Sequence, residues 1–191
     1  MTVALTPSIH IASDPFESPG RETVRFAMHR RLSCVFPEPP LPEGYTVVPF
    51  TPSLIPAFSA VTRMSFMKSP DRDLYPELRS RKGCNYLIRE LTEMQGFLPE
   101  VSFLVRWHNE PVAVLMTRRM PGCVFGEIQL AAVSPRHRRK GIASYLATRA
   151  MWAFRDLQIP HASLHVNSIN RAGIRFFRHL GFIVNASGLY G

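Results

Sequence analysis

The sequence predicts an α/β fold built on a mixed, mostly antiparallel central sheet that is flanked by helices. Two apolar runs, residues 101–107 and 112–116, enclose the polar turn His108-Asn-Glu-Pro111, a pattern typical of a β-hairpin. A strand pattern over 124–133 is then followed by a helical pattern over 142–157 and another strand pattern over 162–166. Because hairpins pair strands antiparallel and strand–helix–strand units pair them parallel, the sheet has to be mixed.

Periodicity also predicts the remaining elements. Residues 45–48 form a short strand, residues 54–67 and 84–94 form helices, and residues 182–184 begin a last strand. The helix over 142–157 carries one apolar face, made of Ile142, Leu146, Ala150, Met151 and Phe154. The helix over 170–180 has Ile174, Phe177 and Leu180 at similar spacing, and the following glycine favours its end.

The 191 residues suffice for one domain, and proline marks its start. Ten of the 17 prolines precede residue 57. We therefore expect a proline-rich arm and connector over 1–44, with residues 1–20 and 36–44 extended, and a folded domain over 45–191. Residues 21–35 are compatible with either a helix or a strand. The chain ends nine residues after Phe182, which leaves little for a last strand, and a homodimer that completes the sheet is one arrangement left open.

Composition narrows the classes of function. The formal net charge of +9 favours anionic partners, but the arginines are scattered along the chain, so a nucleic-acid-binding module is the weaker reading. Three widely spaced cysteines show no metal-type pairing and suggest free thiols in the cytoplasm, without a metal site. We find neither a secretory signal nor an apolar run long enough for a membrane helix, and we expect no membrane partner.

The loop before the helix at 142 is strongly basic. Val133-Ser-Pro-Arg-His-Arg-Arg-Lys-Gly-Ile-Ala143 ends a strand and leads through a glycine into that helix. Backbone N–H groups at a helix N-terminus lack helical partners, and the helix dipole adds about half a positive charge there. Gly141 has no side chain to obstruct an anion. The loop therefore predicts a site for a phosphate-bearing ligand.

Two blocks carry a family resemblance. Arg138-Arg-Lys-Gly-Ile-Ala143 fits the Arg/Gln-x-x-Gly-x-Gly/Ala signature of the GCN5-related N-acetyltransferases (GNAT), and Asn170-Arg-Ala-Gly-Ile-Arg-Phe-Phe-Arg-His-Leu-Gly-Phe182 is similar to their Asn-x-Ala-x-x-x-x-Tyr-x-x-x-Gly-Phe block. The resemblance covers about residues 100–185. It implies the GNAT-like acyl-CoA N-acyltransferase fold, acetyl-CoA as acyl donor, and a small-molecule or peptide amine as acceptor.

The resemblance also implies site residues. The backbone of the loop and first helical turn would bind the pyrophosphate of acetyl-CoA, and the strand end would bind the pantetheine amides. Asn170 would contact the donor as well, and helix capping is an alternative or additional role for it. The donor-binding set is Ala132, Val133, Arg138, Arg139, Lys140, Gly141, Ile142, Ala143, Ser144, Asn170 and Phe177.

The chemistry needs a proton acceptor for the amine. Glu127 stands where histone-type members of the family carry a catalytic glutamate, and a structural ion pair with an arginine is the alternative. Strand alternation predicts that Phe125, Glu127, Gln129, Ala131 and Val133 share one face. On its own strand, His165 lies on the face opposite to that of Leu164. It could therefore reach the cleft, or it could have a structural role.

The proton donor departs from the family pattern. Phe177 stands at the usual tyrosine position and cannot donate a proton. Tyr145 and Tyr190 are possible substitutes, although neither lies at the matching position. With no nucleophile motif in the sequence, we expect direct attack of the amine on acetyl-CoA in a ternary complex. A weakly catalytic or inactive CoA-binding domain is the alternative. We expect residues 54–95 and the strand after Phe182 to line the acceptor side, with no nucleic acid involved.

Overall fold

A computed structural model describes residues 2–3, 24–34 and 37–184 of the chain. Within these residues, eight strands form one sheet: β1 (Thr2–Val3), β2 (Arg25–Arg31), β3 (Tyr45–Pro49), β4 (Phe103–Trp107), β5 (Glu110–Arg119), β6 (Phe125–Val133), β7 (His161–Asn167) and β8 (Ile183–Val184). The α-helices of the described residues are α1 (Ile55–Phe66), α2 (Asp71–Leu74), α3 (Arg81–Glu93), α4 (Ile142–Asp156) and α5 (Arg171–His179).

The sheet is mixed and mostly antiparallel, which confirms the predicted fold class. The strands lie in the order β3-β4-β5-β6-β7-β2-β8, and β1 pairs with β6 beside this path. Each pair is antiparallel except β6 with β7, which are parallel because α4 connects them as a crossover. The hairpin and the strand–helix–strand unit predicted from the sequence are both present.

An N-terminal strand, β2, is part of the sheet. Residues Arg25–Arg31 form β2, which settles the choice between helix and strand for the described part of 21–35. β2 lies between β7 and β8, and Arg30 fastens it to the end of α5 by donating to the backbone carbonyl of Leu180. The sheet therefore includes a strand from the segment before residue 45, which was expected to form only an arm and connector. Residues 37–44 contain neither helix nor strand, and residues 1 and 4–20 of the expected arm lie outside the described residues.

Helices cover both faces of the sheet. The face under α4 and α5 includes the apolar stripe predicted for α4, and all five of its residues are buried. The other face packs against α1 and α3 through residues such as Phe58, Ile88 and Leu130. The apolar area removed from water on both faces is the main stabilising contribution. None of the helices in the described residues has the length and apolar character needed to cross a membrane.

Candidate active site

Strands β6 and β7 separate partway along their length. Their parallel pairing extends only from Phe125 opposite His161 to Ile128 opposite Leu164. On the other side of β6, Met116 pairs with Leu130 and Thr117 with Ile128, so Gln129 is an extra residue that forms a β-bulge. The bulge bends β6 at the point where its pairing with β7 ends. A V-shaped opening between the two strands results.

The bulge makes the prediction of a single shared face along β6 wrong. Ile128, Ala131 and Val133 pack on the α4 side, whereas Leu130 and Ala132 pack on the side of α1 and α3. One extra residue reverses the alternation after Gln129, so Glu127 does not share a face with Ala131 and Val133. Nothing in the sequence pattern of β6 marks the insertion.

The basic loop has the backbone form of an anion site. Gly141 adopts φ +82° as the N-cap residue of α4, and an added Cβ there would meet no atom within 4 Å. Arg139 also has a positive φ, +63°, which bends the loop just before the helix. No acidic residue occupies the first turn of α4, so its N–H groups face the loop without a competing carboxylate.

A cavity of about 610 Å³ opens in front of this loop. It runs from the N-terminus of α4 along the whole of α5 to the segment after α1. Its lining residues are Lys68, Ser69, Pro70, Val133, His137, Arg138, Arg139, Gly141, Ile142, Ala143, Ser144, Asn170, Ala172, Arg175, Phe176 and His179. Among these described residues none is acidic, so the cavity favours an anionic ligand.

Most of the predicted donor-binding residues lie together in this cavity. Val133, Asn170 and the run from Gly141 to Ser144 line it, together with Arg138 and Arg139. Ala132, Lys140 and Phe177 do not belong to the lining. Phe177 is fully buried between the rings of Phe176 and Phe182, and it is Phe176 that reaches the cavity.

Two cations of the loop have protein partners. Arg138 donates to the carbonyls of Val133 (3.0 Å) and Ser65 (2.7 Å), so it ties the loop to the end of α1. Lys140 lies over the ring of Tyr45, 5.9 Å from its centroid. His137 is hydrogen-bonded to the Tyr45 hydroxyl at 2.8 Å, and burial together with the charge of Lys140 lowers its pKa. The loop is thus held in shape by its own side chains.

Behind the cavity wall, in contact with the lining residues Ser69 and Asn170, lies a buried carboxylate that the sequence reasoning missed. Asp71 is 1% exposed and accepts hydrogen bonds from Asn167 Nδ2 at 2.6 Å and Asn170 Nδ2 at 2.9 Å, and from the Ser69 hydroxyl at 2.9 Å. Asn170 Oδ1 accepts from the backbone N–H of Gly173, so Asn170 both caps α5 and lines the cavity.

Glu127 lies at the apex of the V-shaped opening and is fully buried. Arg118 Nε donates to Glu127 Oε2 at 2.6 Å, and His165 Nδ1 is 3.2 Å from Oε1. Burial by itself would raise the pKa of the Glu127 carboxyl, but the hydrogen bond with His165 and the charge and hydrogen bond of Arg118 outweigh burial and lower it. The carboxylate is therefore ionised and enclosed, while the side chain of His165 is 22% exposed.

Tyr145 has a structural environment. It is 6% exposed and accepts a hydrogen bond from Arg149 at 3.1 Å, and burial raises the pKa of its hydroxyl. Tyr190 lies outside the described residues.

The N-terminus occupies one edge of the opening. Thr2 and Val3 pair antiparallel with Ala132 and Ala131 of β6. Since β5 takes the opposite edge of β6 over the same residues, β1 lies on the edge that faces β7. This is the edge expected to bind the pantetheine amides.

Some lining residues carried a sequence signal and others did not. Ala172, Arg175, Phe176 and His179 recur at helical spacing on the face of α5 opposite its buried residues, so this polar face was detectable. Lys68, Ser69 and Pro70 follow α1 in a segment without periodicity, and only the fold brings them to α5.

Comparisons with known proteins agree with this fold. The family model described as acetyltransferase (GNAT) family matches residues 71–182, more than half of the chain. The crystal structure of a GCN5-related N-acetyltransferase from Sphaerobacter thermophilus superposes with a TM-score of 0.65 at 21% identity, covering 84% of this chain and 48% of that one. That of paia N-acetyltransferase from Thermoplasma acidophilum in complex with coenzyme A gives 0.56 at 15% identity, covering 74% and 91%.

The fold is therefore that of the GNAT acyl-CoA N-acyltransferases. The chain belongs to the acetyltransferase (GNAT) family, as the two sequence blocks indicated. Its curated relatives include mycothiol acetyltransferases from Salinispora arenicola (26% identical over 167 residues, 85% of this chain and 52% of the relative) and Streptomyces coelicolor (25% over 157 residues, 80% and 47%). The chain thus spans about half the length of these relatives.

Proposed function

We propose that this protein transfers an acetyl group from acetyl-CoA to a primary amine by direct attack in a ternary complex. The observation that carries the proposal is the open N-terminus of α4 at Gly141, which faces a basic cavity of about 610 Å³. Bound there, acetyl-CoA would supply an activated thioester. The residues that fit its phosphates are the backbone of 141–144 with Arg139 and, across the cavity, Lys68 and Arg175.

The opening between β6 and β7 supports the position of the reacting groups. An extended arm that leaves the loop along β6 would reach Gln129 and Glu127 at the apex within a few residues of strand. Gln129 is fully buried there, and its Oε1 has no hydrogen-bond partner among the described residues. A hydrogen-bond donor of a ligand would satisfy this atom. Without a ligand, a buried acceptor that makes no hydrogen bond costs about 1–3 kcal/mol of stability.

An alternative is a domain that binds CoA with little or no catalysis. Phe177 favours it, because the usual tyrosine hydroxyl is absent and Phe177 is buried in the core. Two features favour catalysis instead: a CoA thiolate is a tolerable leaving group without a dedicated acid, and the apex holds ionisable side chains.

The acceptor is proposed only as an amine, and amino sugars, diamines and short peptides with a free N-terminus form a suitable panel.

Calorimetric titration with acetyl-CoA and with CoA tests the donor site. We expect micromolar binding to the wild type and at least about 100-fold weaker binding to Gly141→Glu, because a carboxylate beside the phosphates costs several kcal/mol. Gly122→Glu is the matched control, since Gly122 also has a positive φ and open space around its Cβ but lies in the β5–β6 connection. Thiol release with the amine panel then tests transfer. Absence of binding to the wild type would overturn the proposal.

A further inference from the structure

We propose that His165 is the group that takes the proton from the acceptor amine, and that Glu127 positions His165 rather than acting on the amine itself. This inference rests on the proposed function. It reassigns the proton acceptor within the same site on the basis of exposure and geometry.

Glu127 is poorly placed to accept a proton from a ligand. Its side chain is 0% exposed, and its two oxygens face Arg118 and His165. An amine that approached either oxygen would have to displace one of these partners from a buried ion pair, which is costly. A fully buried carboxylate that is bonded to Arg118 and His165 serves to orient these two side chains.

His165 is placed at the boundary between the paired and separated parts of β6 and β7. It follows Leu164, the last residue of β7 that pairs with β6, so it stands at the apex of the opening. Its side chain is 22% exposed, in contrast to Glu127 beside it. Leu164 and Val166 point into the core under α4 and α5, which directs His165 to the opposite face, together with Asn167.

The contact with Glu127 sets the chemistry of the imidazole. A carboxylate at Nδ1 favours the tautomer with the proton on Nδ1, because Glu127 can only accept. Nε2 then carries the lone pair and is the atom that would exchange a proton with the acceptor. Carboxylate, imidazole and substrate in this order form the arrangement by which a buried acid orients a general base.

Other ionisable groups near His165 are few in the described residues. Arg118 lies behind Glu127 and keeps it ionised. On β2, Ala27 is the register partner of His165, with Arg25 and His29 two positions away on either side. Asn167, on the same face of β7 as His165, donates a hydrogen bond to Asp71 of α2.

The proton balance of the step is complete. An ammonium acceptor gives one proton to Nε2 of His165, and the exposed nitrogen lone pair forms a bond to the acetyl carbonyl carbon. The carbon–sulfur bond breaks, and its electron pair leaves with the CoA sulfur. The second proton lost from nitrogen goes to that sulfur, giving CoA thiol and the amide, and His165 returns its proton to solvent.

Two measurements test the assignment. Nitrogen-15 NMR of the imidazoles of the unliganded wild type should show neutral His165 protonated on Nδ1, and a proton on Nε2 would overturn the proposal. In steady-state assays with acetyl-CoA and the amine of the panel that releases most thiol, His165→Asn should lower kcat about 100-fold. Its KM for acetyl-CoA should stay within about twofold, and the acidic limb of the pH–rate profile should disappear.

His161→Asn is the matched control, because His161 lies on the same strand and face at the opposite end of β7 and should leave kcat and the limb nearly unchanged. If the wild type is active and His165→Asn keeps both its kcat and its acidic limb, the assignment of His165 fails and the acetyltransferase proposal stands. If the wild type releases no thiol with any amine of the panel, the proposed function fails, and this inference fails with it.

Discussion

Asn170 Nδ2 donates a hydrogen bond to the buried carboxylate of Asp71 at 2.9 Å, across 99 positions of sequence. The same side chain caps α5 through Oδ1. Asp71 thereby fastens the segment after α1 to the start of α5, and residues of both segments line the cavity. This carboxylate therefore links two parts of the proposed donor site.

Asp71→Asn should lower the free energy of unfolding by about 1–3 kcal/mol, because its amide nitrogen would face one of the two asparagine amides that donate to the carboxylate. Urea denaturation followed by circular dichroism measures the change. Asp73→Asn, on the same short helix but exposed, should change stability by less than about 0.5 kcal/mol. Equal effects of the two substitutions would contradict the assigned role of Asp71.

Glu127→Gln should lower the free energy of unfolding by about 3 kcal/mol at pH 7, since it leaves Arg118 buried without its carboxylate. The effect should depend on pH. The folded-state pKa of Glu127 lies below its ordinary value of 4.5, so its contribution is fully present above pH 4.5 and is lost as the pH falls through the lowered pKa.

The difference in stability between wild type and Glu127→Gln should therefore shrink as the pH falls below about 4.5. Denaturant titrations at a series of pH values measure it. A difference that grows as the pH falls would show that the carboxyl is not held ionised in the folded protein.

Gly126→Ala should destabilise the protein by about 1–3 kcal/mol through overpacking. A Cβ at Gly126 would lie 2.7 Å from ring carbons of Phe154, the buried aromatic of α4. Adding Phe154→Leu in the same chain should recover part of the loss, and thermal unfolding of the two single variants and the double variant gives the coupling. Strictly additive losses would argue against this contact.

Binding of acetyl-CoA should compete with β1. The pantetheine amides and the backbone of Thr2–Val3 are expected on the same edge of β6, so the strand has to leave when the arm binds. Thr2→Pro/Val3→Pro removes both backbone N–H donors of β1 and should tighten acetyl-CoA binding several-fold by calorimetry. Thr2→Val/Val3→Thr keeps both donors and serves as the control. Unchanged affinity in the proline variant would place the arm elsewhere.

Local sequence patterns predicted much of the fold because the main elements carry their own periodicity. The stripe from Ile142 to Phe154 defined α4, and residues of the basic loop with Gly141 line the cavity. The predictions were less complete where the structure depends on pairing. Alternation along β6 was wrong because a bulge at Gln129 has no sequence mark, and Phe177 was expected at the donor site although it is Phe176 that lines the cavity.

The sequence by itself determined the family, the sheet flanked by helices and the basic loop before α4, since each of these depends on residues close together in the chain. Only the tertiary structure decided which groups meet at the opening. His165 reaches Glu127 across 38 positions and Asp71 reaches Asn167 across 96, and β2 enters the sheet between two strands from the other end of the chain. Such contacts follow from strand order and register, which local periodicity does not encode.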